Sequence, residues 1–248
     1  MAKYKSIFIS DVHLGSIPCK ARELDEFLKE NTCENLYLVG DIIDGWLLKT
    51  NYYWPQTHSD LIRRFLTIAR DGTNVYYISG NHDEFLRSLP PYNLTVGNIQ
   101  IMHQMTHYGI DGKDYLVVHG DMFDNLIKAS IFKTIFGIIG ALLYHISFRV
   151  SRVINFLLKP FKIKRWSLSE SIKRLLKVDL LPLLLDYEKR LATHAKDKGH
   201  DGIICGHIHR PIIKEVDGVI YMNDGDWVES KSALVENYDG TFEIVYHE

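Results

Sequence analysis

The chain has 248 residues, of which 46% are hydrophobic and 12% aromatic, a composition that excludes a disordered chain and supports one large domain with a packed core. Three cysteines (Cys19, Cys33 and Cys205) without CxxC spacing argue against a disulfide framework and a cysteine zinc site. The total net charge of −2 excludes little, but the charge is unevenly distributed along the chain.

The first third of the chain predicts strands alternating with helices. Apolar periodicity predicts the following elements: strands at 6–10, 36–39 and 75–78, and helices at 23–29 and 59–70. Ser59 is the expected N-cap of the second helix. This β-α-β-α-β order favours a largely parallel sheet covered by helices.

The pattern after Pro90-Pro91 is typical of hairpins. Strands are expected at 98–103 and 115–118, joined through Asp111-Gly112. Later strands are predicted at 203–205, 212–216, 219–222, 233–236 and 242–246. Asp217-Gly218 and Asp239-Gly240 are the expected turns between them.

Residues 123–195 interrupt this pattern and are predicted to form a helical insertion, or cap, within a single domain of residues 1–248. Residues 122–178 hold eleven Lys or Arg and two acidic residues, a net charge of about +9, while the rest of the chain carries about −11. We expect this basic, apolar segment to lie on a membrane surface or to close over an apolar ligand. An ordinary solvated helical face is the alternative.

Five polar clusters each follow an apolar run, at the point where a strand should end. The clusters are Asp11-Val12-His13, Gly40-Asp41-Ile42-Ile43-Asp44, Gly80-Asn81-His82-Asp83, His119-Gly120-Asp121 and Gly206-His207-Ile208-His209. Ligands of open sheets bind at the carboxyl ends of the strands, so the five clusters should converge on one place.

Carboxylate, amide and imidazole groups in this pattern predict two divalent metal ions. Asp41 is the natural bridging ligand, because a carboxylate has two oxygens. Oxygen and nitrogen ligands without thiolate suit manganese, iron or zinc. A hydroxide, formed from water whose pKa the metals lower, would attack phosphorus. Each cluster alone is an ordinary turn or loop sequence. The prediction depends on the ordered set of five.

The ordered set resembles the calcineurin-like metallophosphoesterase family, whose pattern is D-x-H, G-D-x-x-D, G-N-H-D/E, H and G-H-x-H. The resemblance implies a four-layer α/β/β/α sandwich. It implies Asp11, His13, Asp41 and His209 for the first metal, and Asp41, Asn81, His119 and His207 for the second. It also implies that His82 acts on the phosphoryl group or the leaving oxygen, that Asp83 orients His82, and that Asp44 and Asp121 accept hydrogen bonds behind the ligands.

Within that family the chain looks like the bacterial UDP-2,3-diacylglucosamine diphosphatases, through its length, Asp11 to Gly15, His119 to Asp121 and the helical insertion. That group hydrolyses the pyrophosphate of a lipid A precursor with manganese, at the cytoplasmic face of the membrane. Its members carry Arg after the Asn of the third cluster, where this chain has His82. Asp224-Gly225-Asp226-Trp227 also differs, so the chain resembles a paralogous branch.

The insertion has a basic helical face that would contact the substrate. Ser169, Lys173 and Lys177 are spaced four residues apart, and Arg165 precedes them by one turn. We expect these four residues to bind the phosphate or sugar of an acylated nucleotide-sugar or another phosphorylated lipid. A solvated basic face is the alternative.

Other functions are compatible with the same core motifs. The enzymatic alternative is a phosphodiesterase or phosphatase for a nucleotide, a phospholipid or a phosphoprotein. A scaffold without activity would have lost ligands, and all seven are present. A peripheral membrane protein would use the insertion as its anchor. We expect no nucleic-acid partner, because no basic and aromatic groove is evident outside the insertion.

The start of the chain has no secretory signal pattern, so we expect a cytoplasmic protein at the inner membrane face. The oligomeric state is not predicted.

Overall fold

The computed structural model describes residues 2–50, 52–87, 94–124 and 184–248. The chain divides into two compact units, one of Met1–Asp121 with Lys189–Glu248 and one of Met122–Glu188. The first unit holds both sheets and all five clusters. The helical insertion at 123–195 stays a prediction, because most of it lies outside the described residues.

The first unit begins with the predicted alternation of strands and helices. Its elements are β1 (Ala2–Ile9), α1 (Ala21–Glu30), β2 (Asn31–Val39), α2 (Gly45–Thr50), α3 (Gln56–Arg70) and β3 (Asn74–Ile78). Helix α1 buries Leu24, Phe27 and Leu28, which lie on one face at helical spacing. The helix ends at Asn31, whose side-chain Nδ2 donates to the carbonyl of Phe27 and satisfies a terminal acceptor.

The remaining strands complete two sheets. They are β4 (Leu94–Val96), β5 (Ile99–Met102), β6 (Gln104–Tyr108), β7 (Asp114–Val118), β8 (Gly202–Cys205), β9 (Ile212–Val216), β10 (Val219–Asn223), β11 (Ser232–Glu236) and β12 (Phe242–Tyr246). One sheet has the order β12-β11-β1-β2-β3-β5-β4, and the other has the order β6-β7-β8-β10-β9. Strands β1, β2, β3 and β5 are parallel, as are β7, β8 and β10, so their carboxyl ends lie at one edge of each sheet.

Alternation along β1 separates two hydrophobic cores. Ile7 and Ile9 pack in the core that includes the apolar faces of α1 and α3. Phe8 points the other way, into a core that includes Val117 of β7 and Ile204 of β8. Helices therefore cover one face of the first sheet, and the second sheet covers the other face.

A helix covers residues 184–197, and its residues from Lys189 onward belong to the first unit. That part of the helix forms the fourth layer. Leu191 and Ala195 are buried on it. Lys189 pairs with Asp217 beside β9, and Lys198, just after the helix, donates to Gln104 of β6. Because β6 and β9 are the two edge strands, the helix extends across the second sheet, and the predicted α/β/β/α sandwich is confirmed.

The start of α3 differs from the prediction. The helix begins at Gln56, after Pro55 in an extended conformation, so Ser59 is not its N-cap. Ser59 instead accepts a hydrogen bond from Trp54 Nε1. His58 and Leu61 are both buried. The buried face of the helix therefore begins at His58, one turn before Leu61, the first apolar residue of the predicted pattern.

The predicted pairing of 98–103 with 115–118 is wrong. Strand β5 pairs with β3 and β4 in the first sheet, and β7 pairs with the unpredicted β6 in the second. The turn through Asp111-Gly112 lies where expected, but it joins β6 to β7. Between β5 and β6 the chain passes from one sheet to the other at His103 alone, without a turn sequence. The two strands therefore look like one in the sequence.

A buried carboxylate on β11 connects the two sheets. Glu236 is fully buried, accepts a hydrogen bond from Ser6 of β1 at 2.8 Å and one from the Ile110 amide at 2.9 Å, and lies 3.0 Å from His107 Nε2 of β6. Burial acts to raise the pKa of Glu236, but His107 and the Ile110 amide outweigh it and hold the pKa below its ordinary value of 4.5.

We predict that Glu236→Gln lowers the free energy of unfolding by about 1–3 kcal/mol, because the amide nitrogen replaces one of the two oxygens that accept from Ser6 and from the Ile110 amide and leaves a buried donor unsatisfied. The ionised carboxylate stabilises the fold above pH 4.5, and this contribution is lost as the pH falls through its lowered folded-state pKa. Urea denaturation at several pH values measures both effects. Glu243→Gln, an exposed change on β12, should alter stability by less than about 0.5 kcal/mol. Equal stabilities for the Glu236 variant and the wild type at pH 7 would contradict the prediction.

Candidate metal centre

The five clusters follow five strands whose carboxyl ends meet. Asp11 follows β1, Asp41 follows β2 and Asn81 follows β3, three neighbouring strands of the first sheet. His119 follows β7, and His207 follows β8, its neighbour in the second sheet. The predicted convergence is therefore observed across both sheets.

Most of the predicted metal ligands have an unusual backbone conformation. Positive φ angles of 51–71° occur at Asp11, His13, Asp41, His207 and His209. Residues other than glycine rarely adopt this left-handed region, and each instance costs roughly 1–3 kcal/mol. Three more such residues occur in the described ranges outside the clusters, so the strain is concentrated where the ligands lie.

Glycines before the ligands permit close approach of the loops. A Cβ atom on Gly80 would lie 2.1 Å from Asp41 Oδ1, and one on Gly206 would lie 2.6 Å from Asp11 Oδ2. Any side chain there would displace a ligand carboxylate. The glycines of the G-N-H-D and G-H-x-H patterns are therefore needed for packing against the ligands.

The first group of ligands surrounds Asp11. Its Oδ1 lies 3.1 Å from His209 Nε2 and 3.7 Å from His13 Nε2. One ligand atom from each of the three residues lies within 4.8 Å of the other two, close enough for all three to hold one metal ion. The Asp11 side chain is fully buried, which fixes the position of the carboxylate.

The second group surrounds Asp41. Its Oδ2 lies 3.2 Å from His119 Nε2, and His207 provides the third ligand atom of the group. Ligand atoms of Asp41, His13 and His82 also lie within 4.8 Å of one another. Asp41 therefore lies between the two sets of imidazoles, as expected of a bridging carboxylate. Asn81, from the loop after β3, offers a buried amide oxygen.

Hydrogen bonds orient the imidazoles so that Nε2 faces the metal site. His119 Nδ1 lies 2.8 Å from the Val39 carbonyl, an acceptor only, so Nδ1 carries the proton and donates it. Asp44 Oδ2 has the same effect on His13, whose Nδ1 lies 3.2 Å away in a hydrogen bond. Asp44 Oδ1 also lies 3.1 Å from His82 Nδ1, a contact by charge and distance without hydrogen-bond alignment. The prediction that Asp44 supports the ligands is consistent with these contacts.

The electrostatics of the centre favour cations. Burial acts to lower the pKa of His13 and of His119, yet the neighbouring carboxylates raise both pKa values to about 10. Burial likewise acts to raise the pKa of Asp11, but His209 and His13 hold that pKa well below its ordinary value. The negative potential that favours protons here also favours divalent metal ions, which would displace those protons.

Unsatisfied polar atoms test whether the residues fit a metal. Several buried side-chain nitrogen and oxygen atoms in the described residues make no hydrogen bond, and four of them belong to the predicted ligands: Asp11 Oδ1, His13 Nε2, Asn81 Oδ1 and His119 Nε2. Buried polar atoms are rarely left without one. Since all four atoms belong to predicted ligands and provide oxygen or nitrogen lone pairs, the residues fit two divalent ions.

Asp83 has contacts that the sequence did not predict. The prediction that Asp83 orients His82 stays a prediction, since the hydrogen bonds described for the Asp83 carboxylate go to other groups. Asp83 Oδ2 accepts hydrogen bonds from the Ile42 amide at 3.0 Å and from Tyr77 OH at 2.6 Å, while Oδ1 accepts one from the Gly80 amide. Asp83 therefore holds the loops after β2 and β3 together, and the carboxylate oxygen nearest His82 Nδ1, at 3.1 Å, is that of Asp44.

Asp121 forms a bidentate pair with Arg87, whose two terminal nitrogens both lie 2.8 Å from its oxygens. Arg87 also donates to the Ser79 carbonyl at 2.6 Å. The pair joins the loop that carries Asn81 to the loop that carries His119. Arg87 was not predicted, because it lies outside the five clusters and only its distant partner shows its role.

The predicted substrate-binding residues Arg165, Ser169, Lys173 and Lys177 lie outside the described residues, and their role stays a prediction. Among the described helices, none has the length and apolar character needed to cross a membrane.

Residues 4–211 match the sequence profile described as calcineurin-like phosphoesterase, which covers most of the chain. The chain belongs to the calcineurin-like phosphoesterase family. A Shewanella sp. (strain MR-7) protein named UDP-2,3-diacylglucosamine hydrolase is 26% identical to this family member over 253 residues, covering 95% of each chain. A protein of the same name from Photorhabdus laumondii is 28% identical over 119 residues, covering 47% of this chain and 48% of that protein.

A solved structure with similar architecture supports the fold. The crystal structure of a hypothetical protein from Pyrococcus horikoshii OT3 has a TM-score of 0.51 and 11% sequence identity, covering 99% of this chain and 88% of that one. The family membership makes this chain a metallophosphoesterase, and the clusters at the strand ends are its candidate metal-binding residues. The names of the relatives suggest, but do not establish, its substrate.

Proposed function

We propose that this phosphoesterase hydrolyses the pyrophosphate of UDP-2,3-diacylglucosamine or of a similar lipid-linked diphosphate. The observation that carries phosphoester hydrolysis is the bridging position of Asp41 between two groups of imidazoles. The relatives named UDP-2,3-diacylglucosamine hydrolase support the choice of substrate. The oxygen and nitrogen ligands suit manganese, which we propose as the metal, with iron or zinc as alternatives.

Two divalent ions, when bound, would lower the pKa of water and neutralise charge on the phosphoryl group. Asp11, His13 and His209 would hold one of them, and Asn81, His119 and His207 would hold the other with Asp41 shared. The protein's own contribution is to fix these groups in place before substrate binds. The burial of Asp11 and Asp41 limits their movement and reduces competition from water.

His82 is the group that we assign to the leaving oxygen. Asp44 Oδ1 lies 3.1 Å from its Nδ1, and Trp46 packs against its ring with centroids 4.2 Å apart. Nε2 then faces the centre, 4.0 Å from Asp41 Oδ2. From this position Nε2 can donate a proton to the leaving oxygen, or a hydrogen bond to the phosphoryl group.

An aromatic surface beside His82 supports a substrate with an apolar part. Trp46 is 44% exposed and Phe85 is 41% exposed, although both are large apolar side chains. Phe85 lies against Gly45, next to Asp44, so both rings border the metal centre. Such exposed rings are suited to binding acyl chains while the centre binds the diphosphate. We further propose that the basic, apolar insertion at 123–195 binds a membrane surface.

We predict that His82→Ala lowers kcat by roughly 10²–10⁴, the usual contribution of a positioned general acid. Metal content should not change, because the ligands remain. Steady-state kinetics and elemental analysis measure the two quantities. His200→Ala is the control, since His200 precedes β8 at the end opposite the metal centre and contacts Thr106. A normal kcat in the His82 variant would contradict its role as a general acid. A lower metal content in this variant would instead identify His82 as a metal ligand.

The substrate proposal predicts that the manganese-loaded protein hydrolyses UDP-2,3-diacylglucosamine with a higher kcat/KM than a water-soluble phosphodiester. Trp46→Ala should raise KM for the acylated substrate about tenfold or more, since burying an aromatic side chain contributes roughly 1.5–3 kcal/mol. It should leave kcat/KM for the soluble ester within about threefold.

The control is Tyr108→Ala, which removes an exposed aromatic ring of β6 and should change neither substrate's KM. Activity on the soluble ester alone would contradict the lipid substrate while leaving phosphoester hydrolysis intact. An equal loss on both substrates in the Trp46 variant would show that the ring acts on His82 and not on acyl chains.

A further inference from the structure

Asp224 is a fully buried carboxyl group that has no part in the mechanism above. It follows directly after β10, in the sequence Asp224-Gly225-Asp226-Trp227, outside all five clusters. Its backbone amide donates to the Cys205 carbonyl at 3.1 Å, which places it beside the strand that leads to His207 and His209. A buried carboxyl group at such a place requires a compensating partner.

That partner is Ser10, the residue before the metal ligand Asp11. Ser10 Oγ lies 2.6 Å from Asp224 Oδ1 and 2.5 Å from Asp11 Oδ2. A hydroxyl group has a single proton and can donate it to only one of the two carboxyl groups. The other short contact requires a proton on the carboxyl side. One of the two carboxyl groups is therefore a donor to Ser10.

The hydrogen bonds around the two groups show which of them donates. Asp11 Oδ2 already accepts a hydrogen bond from the His207 amide at 2.8 Å, so this oxygen is an acceptor. Asp224 Oδ2 makes no hydrogen bond within the described residues, and Ser10 is the partner of Oδ1. An ionised carboxylate would be far more costly there than a neutral acid. Burial accordingly raises the pKa of Asp224 well above its ordinary value.

The same segment is fixed to the metal loops by its backbone. The Trp227 amide donates to the Asp11 carbonyl at 3.1 Å, and Asn223 Nδ2 donates to the Gly206 carbonyl at 2.6 Å. Asp226 Oδ1 accepts backbone hydrogen bonds at the turn that follows, including one from Val228 at 2.8 Å. Asp224 is thus held rigidly against the loops that carry Asp11 and His207.

We propose that Asp224 is a positioning residue of the metal centre: its carboxylic acid donates to Ser10 Oγ, and Ser10 donates to Asp11 Oδ2. With Oδ2 engaged by Ser10 and by the His207 amide, Asp11 presents Oδ1 to His13, His209 and the metal. Supporting hydrogen bonds of this kind typically contribute 10–100-fold to metal affinity. This inference rests on the proposed metal-dependent function.

Three variants test it by manganese affinity, measured by competition with a chelator. Asp224→Ala removes the donor and should lower the affinity of one metal site about 10–100-fold. Asp224→Asn keeps an N–H donor toward Ser10, so its affinity should stay within about threefold of wild type. Ser10→Ala removes the connecting hydroxyl and should match Asp224→Ala.

The matched control is Ser6→Ala. Ser6 lies on β1, the strand that leads to Ser10, and donates to the buried Glu236 at 2.8 Å, whose described partners all lie away from the centre. This variant should lower the melting temperature without changing metal affinity. Circular dichroism checks folding, and if Asp224→Ala does not fold, Asp224→Asn and Ser10→Ala decide the matter.

Wild-type affinity in Asp224→Ala or Ser10→Ala would overturn the proposal, and so would an Asn variant as weak as the Ala variant. These outcomes differ from a failure of the proposed function, in which the wild-type chain itself would bind no divalent metal.

Discussion

Two buried carboxylates, Asp11 and Asp41, lie in one cluster of imidazoles, and this concentration of charge constrains the rest of the first unit. Each carboxylate acts to raise the pKa of histidines around it. Burial and Asp11 act to raise the pKa of Asp41, but His119 outweighs them and holds that pKa below its ordinary value. The arrangement needs positive charge, which protons or divalent metals can supply. The family membership implies the second possibility, and Asn81 Oδ1 suits it, because an amide oxygen is a ligand for a metal ion and is not protonated at ordinary pH.

Holding these groups together has a conformational cost that the surrounding fold offsets. The left-handed backbone at the ligands costs of order 1–3 kcal/mol per residue. Opposing it are two hydrophobic cores on either face of the first sheet and the hydrogen bonds of Asp44, Asp83 and the Arg87–Asp121 pair. These polar groups lie behind the ligands and join loops from different strands. Rigidity at the centre therefore comes from contacts between loops as much as from the sheets.

Much of the centre could be predicted from sequence because its signals are local. Asp11, Asp41 and His119 each follow an apolar strand, and parallel strands bring their carboxyl ends together. The contacts that the sequence did not show join residues that are far apart along the chain. The hydrogen bonds of Asp83 and the contact between Ser10 and Asp224 join residues that no spacing rule relates. The passage from β5 to β6 was missed because the chain changes sheets without a turn sequence.

The central claim is that Asp41 is shared by two metal ions, and metal content per chain tests it most directly. The wild-type chain, reconstituted with manganese and freed of excess ion by gel filtration, should contain about two ions. Asp41→Ala, shown to be folded by circular dichroism, should retain neither tightly, because each group loses the shared carboxylate. Two ions retained by that variant, or one in the wild type, would contradict the claim.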